Sequence, residues 1–122
     1  MPRIAYVNVF VTDLDRACAF YQTAFGFTLE SKDADHGYAS FDAGAIRLGI
    51  ALVNGEQAEL AGRHTGLGID VENLEAEHAR FVAAGVEFPM APERQPWGGF
   101  MALVADPDGN VFYLDQVSAA HG

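Results

Sequence analysis

The sequence predicts an α+β chain made of two tandem βαβββ modules, and three observations lead there. First, Val11-Thr12-Asp13-Leu14-Asp15 returns about 60 residues later as Val71-Glu72-Asn73-Leu74-Glu75. Second, each copy follows a strand-like run and precedes apolar residues at helical spacing. Third, each helical stretch is followed by a glycine, Gly26 or Gly85, where a left-handed residue ends a helix. A unit this long, present twice, is a duplicated module rather than a solenoid.

The elements follow in order. Ile4–Val11 reads as the first strand and Asp13 as the helix cap, because its carboxylate can accept from an orphan N–H of the first turn. Leu14, Ala17, Cys18, Tyr21 and Phe25 fall at i, i+3, i+4, i+7 and i+11, one apolar stripe. On that stripe Cys18 reads as a small buried hydrophobe. Phe27–Asp33 and His36–Asp42 read as strands around a turn at Ala34-Asp35. Ala45–Val53 follows the turn signal Asp42-Ala43-Gly44.

In the second half, Gly66–Val71 is the strand, Asn73 the cap, and Leu74, His78, Phe81 and Val82 a weaker helical stripe. Val86–Met90 then runs into a stretch holding Pro89, Pro92 and Pro96, which reads as a loop. Gly99–Ala105 and Val111–Val117 flank Asp106-Pro107-Asp108-Gly109-Asn110. There Pro107 presets φ, and Gly109 or Asn110 can take positive φ, so the segment is a tight turn. The expected organisation is a single domain with module one at 1–53, a linker at 54–63, module two at 64–118 and a tail at 119–122. Residues from Ser118 on are expected to fray. His36 and His78 read as surface residues, and His121 falls in the tail.

Composition narrows the function classes. The 122 residues carry 17 acidic and 7 basic side chains, a formal net charge of −10. That balance argues against nucleic acid, whose phosphates need a basic patch, and favours a cationic or neutral ligand. No apolar run approaches the ~20 residues that span a bilayer, so no membrane partner is expected. The first residues, MPRIAYVNVF, show no apolar segment followed by a small-residue cleavage site. The single Cys18 excludes an internal disulfide and fits a reducing, cytoplasmic compartment. No nucleophile–base pair, phosphate-cradling loop or dinucleotide fingerprint is present.

Taken together, Thr12-Asp13-Leu14 after the first strand, Ala19-Phe20-Tyr21 in the helix, Gly26-Phe27, and Asp106-Pro107-Asp108-Gly109-Asn110 before the last strand resemble the vicinal oxygen chelate superfamily. That superfamily contains glyoxalase I, extradiol dioxygenases, fosfomycin-resistance enzymes and bleomycin-resistance proteins. The resemblance covers essentially the whole chain. It implies two βαβββ modules whose mixed sheets form a half-open barrel, a ligand cavity in the cup, and a homodimer.

The metal-dependent members place ligands on the first and last strands of each module. By motif offset those positions fall here on Tyr6, on Gly66, on Tyr113, and on Arg47 or Gly49. Gly has no donor, Arg repels a cation, and a phenol is a poor ligand at neutral pH. The expectation is therefore no metal and no cofactor. A slip of two residues keeps a strand's face and would bring up Asn8, His64 and Asp115 instead. That weak set competes with a reading of His64 as a loop histidine and Asp115 as a rim acid.

The run Arg94-Gln95-Pro96-Trp97-Gly98-Gly99-Phe100 is similar to the Gln-Pro-Trp-Gly segment of bleomycin-resistance proteins, which bind and sequester a planar cationic antibiotic. Trp97 offers the largest π-face for stacking a planar or cationic group, or it packs at a strand end. Tyr6, Asn8, Tyr38, Phe41, Arg47, Gly66, Trp97, Phe100, Tyr113 and Asp115 are the expected ligand-binding residues, and no catalytic residue is assigned. Tyr6 and Tyr113 either hydrogen-bond a ligand or fill a dry core. Arg47 either pairs outward with an acid or meets an anionic ligand group. Gly66 and Gly68 read as close backbone approach or room for a ligand.

The expected function is metal-free binding of a small planar aromatic or cationic molecule, with antibiotic sequestration as the specific form. The alternatives are a glyoxalase-like lyase or isomerase, or a dioxygenase-related enzyme with a non-standard site, and a module for protein contacts.

Overall fold

A computed structural model describes residues 1–117, so the expectations for the tail and His121 lie outside the described residues. The chain forms two compact units. The first is Met1–Arg63 together with Pro107–Asn110, and the second is His64–Asp106 with the chain from Val111 on.

The first unit holds β1 (Tyr6–Val11), α1 (Leu14–Thr23), β2 (Thr28–Asp33), β3 (Tyr38–Asp42), β4 (Arg47–Leu52) and a 3-10 turn at Gly55–Leu60. The second holds β5 (His64–Val71), α2 (Leu74–Ala83), β6 (Glu87–Arg94), β7 (Phe100–Ala105) and β8 (Val111–Gln116). Each unit contains one open, four-stranded mixed sheet, in the orders β1-β4-β3-β2 and β5-β8-β7-β6. In both, the first and last strands pair in parallel and the other pairs run antiparallel. The fold class and the βαβββ element order of each unit are those the duplication predicts.

The helix boundaries follow from local chemistry. Asp13 Oδ1 accepts from Arg16 N–H at 3.0 Å, and Asn73 Oδ1 accepts from Ala76 N–H at 3.0 Å. At the far end of α2 the Val86 N–H bonds Phe81 O and the Gly85 N–H bonds Val82 O, each at 3.0 Å, with Gly85 at φ +84°. A left-handed residue there closes the orphan carbonyls.

In the first unit α1 covers one sheet face through Leu14, Ala17, Cys18 and Tyr21, packed on buried Val9, Val11, Phe41, Leu48 and Ile50. Burial pushes the Cys18 thiol up from its ordinary pKa, which keeps it protonated and inert. In the second unit Leu74 and Phe81 of α2 are buried, as are Ala102, Val104, Phe112 and Leu114 of the sheet, and the Phe81 ring stacks on Phe88 of β6 at 6.1 Å.

Two expectations are corrected. The proline-bearing stretch is strand, not loop: β6 runs through Pro89 and Pro92. It tolerates them because it is the sheet edge, and because its register shifts between Glu87 and Met90 and again between Met90 and Glu93. A proline at an edge bulge forfeits no ladder bond. His78 is half-buried rather than on the surface, its ring edge-on to Phe88 at 4.5 Å.

The Asp-Pro-Asp-Gly-Asn turn is anchored within the first unit. The Asp108 carboxylate accepts from Thr12 N–H at 3.1 Å, from the Thr12 hydroxyl, and from Arg16 Nη2 at 3.2 Å. Asn110, 2% exposed, accepts from Gly62 N–H at 2.8 Å and Arg63 N–H at 3.3 Å, and donates to Phe10 O at 2.8 Å.

Candidate functional site

Cross-strand neighbours share a sheet face and successive residues alternate faces. With Val9, Leu48, Ile50 and Phe41 turned to α1, the opposite face of the first sheet carries Tyr6, Asn8, Arg47, Gly49, Tyr38 and Asp42. Tyr6 stands beside Arg47 and Asn8 beside Gly49 in the β1–β4 register. The Tyr38 hydroxyl donates to Asn8 Oδ1 at 2.8 Å.

That bond exists because residue 49 is glycine. A Cβ there would lie 2.0 Å from Tyr38 Oη and 2.1 Å from Asn8 Oδ1. Arg47 is exposed and forms no ion pair among the described residues. Its cross-strand neighbour Asp42 instead accepts from Gly44 N–H at 2.9 Å, capping the β3–β4 turn. An open hollow of about 280 Å³ lies here, lined by Arg47, Asp42, Glu30, Ala5, Ala45 and Ile46.

The open face of the second sheet is built differently. Gly68 stands beside Tyr113, and Asp70 beside Asp115, in the β5–β8 register. The His64 ring lies 4.8 Å from the Tyr113 ring, and His64 Nδ1 accepts from Gly66 N–H at 3.0 Å. His64 is thus the first residue of a strand, not a loop histidine. Gly66, at φ +74°, sits in the irregular stretch of β5 between His64 and Gly68. Its glycine answers a backbone need as well as leaving the face bare.

Asp115 is half-buried, and its carboxyl is pushed above the ordinary range, first by burial and then by the Asp70 carboxylate beside it. Neither acid has an ion pair or hydrogen-bond partner among the described residues.

Of the ten expected ligand residues, Tyr6, Asn8, Tyr38 and Arg47 therefore share one open face, and Gly66, Tyr113 and Asp115 share the other. Phe41 belongs with neither: it is fully buried on the helix side, its ring 6.1 Å from that of Tyr21. Phe100 alternates with Met101, which faces Asp115, so it lies on the face of Ala102 and Val104, under the Arg94 guanidinium at 5.1 Å.

Trp97 sits at the tip of the β6–β7 hairpin, 69% exposed, in a turn closed by Gly98 N–H to Gln95 O at 2.9 Å. Its indole folds over Gly99, where a Cβ would lie 2.8 Å from Nε1. Sequence reasoning missed Asp70. The signal was available, since Gly66, Gly68 and Asp70 alternate along one strand.

The sequence model of the glyoxalase/bleomycin resistance protein/dioxygenase superfamily matches residues 3–114. The chain belongs to this superfamily. TnmS3, an antibiotic-binding protein from Streptomyces sp. CB03234, is 30% identical, with 97% of this chain and 98% of that chain covered at a TM-score of 0.76. A superfamily member from Sphaerobacter thermophilus is 21% identical, with 96% and 98% covered at a TM-score of 0.80. Lactoylglutathione lyase from Agrobacterium tumefaciens is 20% identical, with 93% and 92% covered at a TM-score of 0.76. No curated protein sequence matches the chain. The superfamily fold thus serves both a named antibiotic binder and a named lyase, and the site residues must separate them.

For the metal that some superfamily members use, the residues present do not fit. Tyr6, Arg47 or Gly49, Gly66 and Tyr113 stand at the mapped ligand positions and supply no imidazole, carboxylate or thiolate. The slipped set does no better in the second unit. His64 pairs with Val111, four residues before Asp115, which separates the two by ~13 Å along the sheet. Among the described residues no three His, Cys, Asp or Glu side chains gather where one ion could hold them. No helix among them is long and apolar enough to cross a membrane.

Proposed function

We propose that the chain is a metal-free binding protein for a small planar aromatic or cationic molecule, acting by sequestration, with an antibiotic as the ligand class. One observation carries the reading. The open face of the second sheet carries the Tyr113–His64 ring pair, spaced 4.8 Å, and two carboxylates that have no cation partner among the described residues, with no side chain at Gly66 or Gly68 to fill the space. Exposed rings supply stacking area and an unpaired acid pair supplies a cation's counter-charge. The antibiotic-binding relative and the ill-fitting metal positions support the same reading. Trp97 at its hairpin tip is a further stacking surface. The reading includes a homodimer in the cytoplasm, where the lone Cys18 stays reduced.

Calorimetry with one ring in two charge states tests it: 2-naphthylmethylammonium and neutral 2-naphthalenemethanol. Both bind, the ammonium form tighter, and Asp115→Asn removes the difference. If neither binds, the reading is wrong. One tightly held transition metal per chain in the purified protein also contradicts it and returns the lyase alternative. Light scattering that finds only monomer removes the dimer.

A further inference from the structure

We infer that the open face of the first sheet is a recognition site for an oxygen anion, a carboxylate or phenolate, carried by an aromatic ligand, with Arg47 and Asn8 as its donors. Asn8 has one acceptor oxygen and one NH2 group. The Tyr38 hydroxyl bonds the oxygen at 2.8 Å, which fixes the plane of the amide and leaves both Nδ2 hydrogens without a partner among the described residues. Arg47 carries five N–H donors in a planar fork, and none has a side-chain acceptor among the described residues.

The carboxylate directly across the β3–β4 ladder from Arg47 is Asp42; its Oδ1 accepts from Gly44 N–H at 2.9 Å, and it forms no ion pair with Arg47 among the described residues. Glu30, the other acid lining the hollow at Arg47, makes no ion pair with it. Arg47 and Asn8 are two positions apart in the common β1–β4 register, on the same face, with only the notch of Gly49 beside Asn8. At Arg47 and Asn8 the face therefore offers donors that no acceptor among the described residues takes up. A planar ligand oxygen that is negative and can take two donors matches that supply.

The net charge of −10 opposes anions at long range. At physiological ionic strength that field is screened over ~8 Å, so a local guanidinium decides what a docked ligand feels. This makes a preference for an anion over its neutral twin diagnostic.

The inference rests on the reading that these faces take planar aromatic ligands, and the test separates the two. 2-Naphthoate and 2-naphthalenemethanol share a ring and differ in the carboxylate. Calorimetry of the intact protein is expected to show naphthoate binding about tenfold tighter, the size of one charge-assisted hydrogen bond. Arg47→Gln abolishes that advantage, bringing the naphthoate affinity down to that of the alcohol. Asn8→Asp keeps an acceptor for the Tyr38 hydroxyl but removes the amide donors, and it reverses the preference. Arg47→Lys restores part of it. If the alcohol binds and naphthoate shows no advantage, or the advantage survives Arg47→Gln, the inference is wrong and the aromatic-binding reading stands. If neither compound binds, both fall.

Discussion

The two modules share a strand order, a capped helix and a parallel pairing of first and last strands, yet their open faces are reciprocal. In module one the first strand carries the side chain, Asn8, and its neighbour on the last strand is bare at Gly49. In module two the first strand is bare at Gly68 and its neighbour on the last strand carries Tyr113. The first face presents Arg47 and the Asn8 amide, donors with no acceptor among the described residues. The second presents acceptors, Asp70 and Asp115, beside paired rings. Duplication copied the scaffold, and the residues facing away from the helices diverged into opposite chemistry. What the helices cover stayed apolar in both, because burial leaves little choice there.

The largest expected difference lies in the turns before the last strands. Asn110 satisfies three backbone groups from a buried position. Asn110→Ala orphans all three and is expected to cost about 3 kcal/mol in chemical denaturation. The module-one turn is held by the Gly44 N–H to Asp42 Oδ1 bond and by the Ala43 N–H to Ile46 O bond at 3.3 Å, and Asp42→Ala, which removes only the first, should cost about 1 kcal/mol. Equal losses would mean the two turns are equivalent after all.

The bare positions give a second contrast. Gly49→Ala drives a Cβ into Tyr38 Oη and Asn8 Oδ1 and breaks their bond, for about 1 kcal/mol. It should also weaken naphthoate binding. Gly68→Ala meets only Asp115 Oδ2, at 3.4 Å, and is expected to be neutral or stabilising by about 0.5 kcal/mol through the lost glycine entropy. A costly Gly68→Ala would remove the contrast.

The smallest effect concerns charge. The Asp115 pKa is raised in the folded chain, so its contribution to stability is present below the ordinary carboxylate pKa and is lost as pH rises through the raised value. At neutral pH the Asp70–Asp115 pair is a cost. Asp115→Asn should stabilise by about 0.5 kcal/mol near pH 7, the size of a like-charge cross-strand pair, with the gain vanishing on acidification. Thermal unfolding against pH checks the sign. A destabilised Asp115→Asn at neutral pH would show that Asp115 has a native partner. By the same sign, binding of a cationic ligand should weaken as pH falls through the Asp115 pKa.

Much of the fold was legible in the sequence because caps and terminating glycines act locally. Asp13, Asn73, Gly26 and Gly85 needed no tertiary context. The course of β6 was not legible, because a proline's cost depends on whether its strand lies at an edge, which is a property of the whole sheet. Half of the candidate site was legible by the strand period of two. Tyr6 with Asn8, and Tyr113 with Asp115, are even-spaced and share faces. Tyr38 and Phe41 are odd-spaced and cannot, and the structure sends Phe41 to the core. The Tyr38–Asn8 bond across Gly49 needed the β1-β4-β3 pairing, which no local pattern specifies.

The most direct test of the reciprocal faces is a crossed calorimetric titration of 2-naphthoate and 2-naphthylmethylammonium against wild type, Arg47→Gln and Asp115→Asn. The account predicts that Arg47→Gln weakens only the carboxylate and Asp115→Asn only the ammonium, each about tenfold. Substitutions that weaken both ligands alike, or neither, would contradict it.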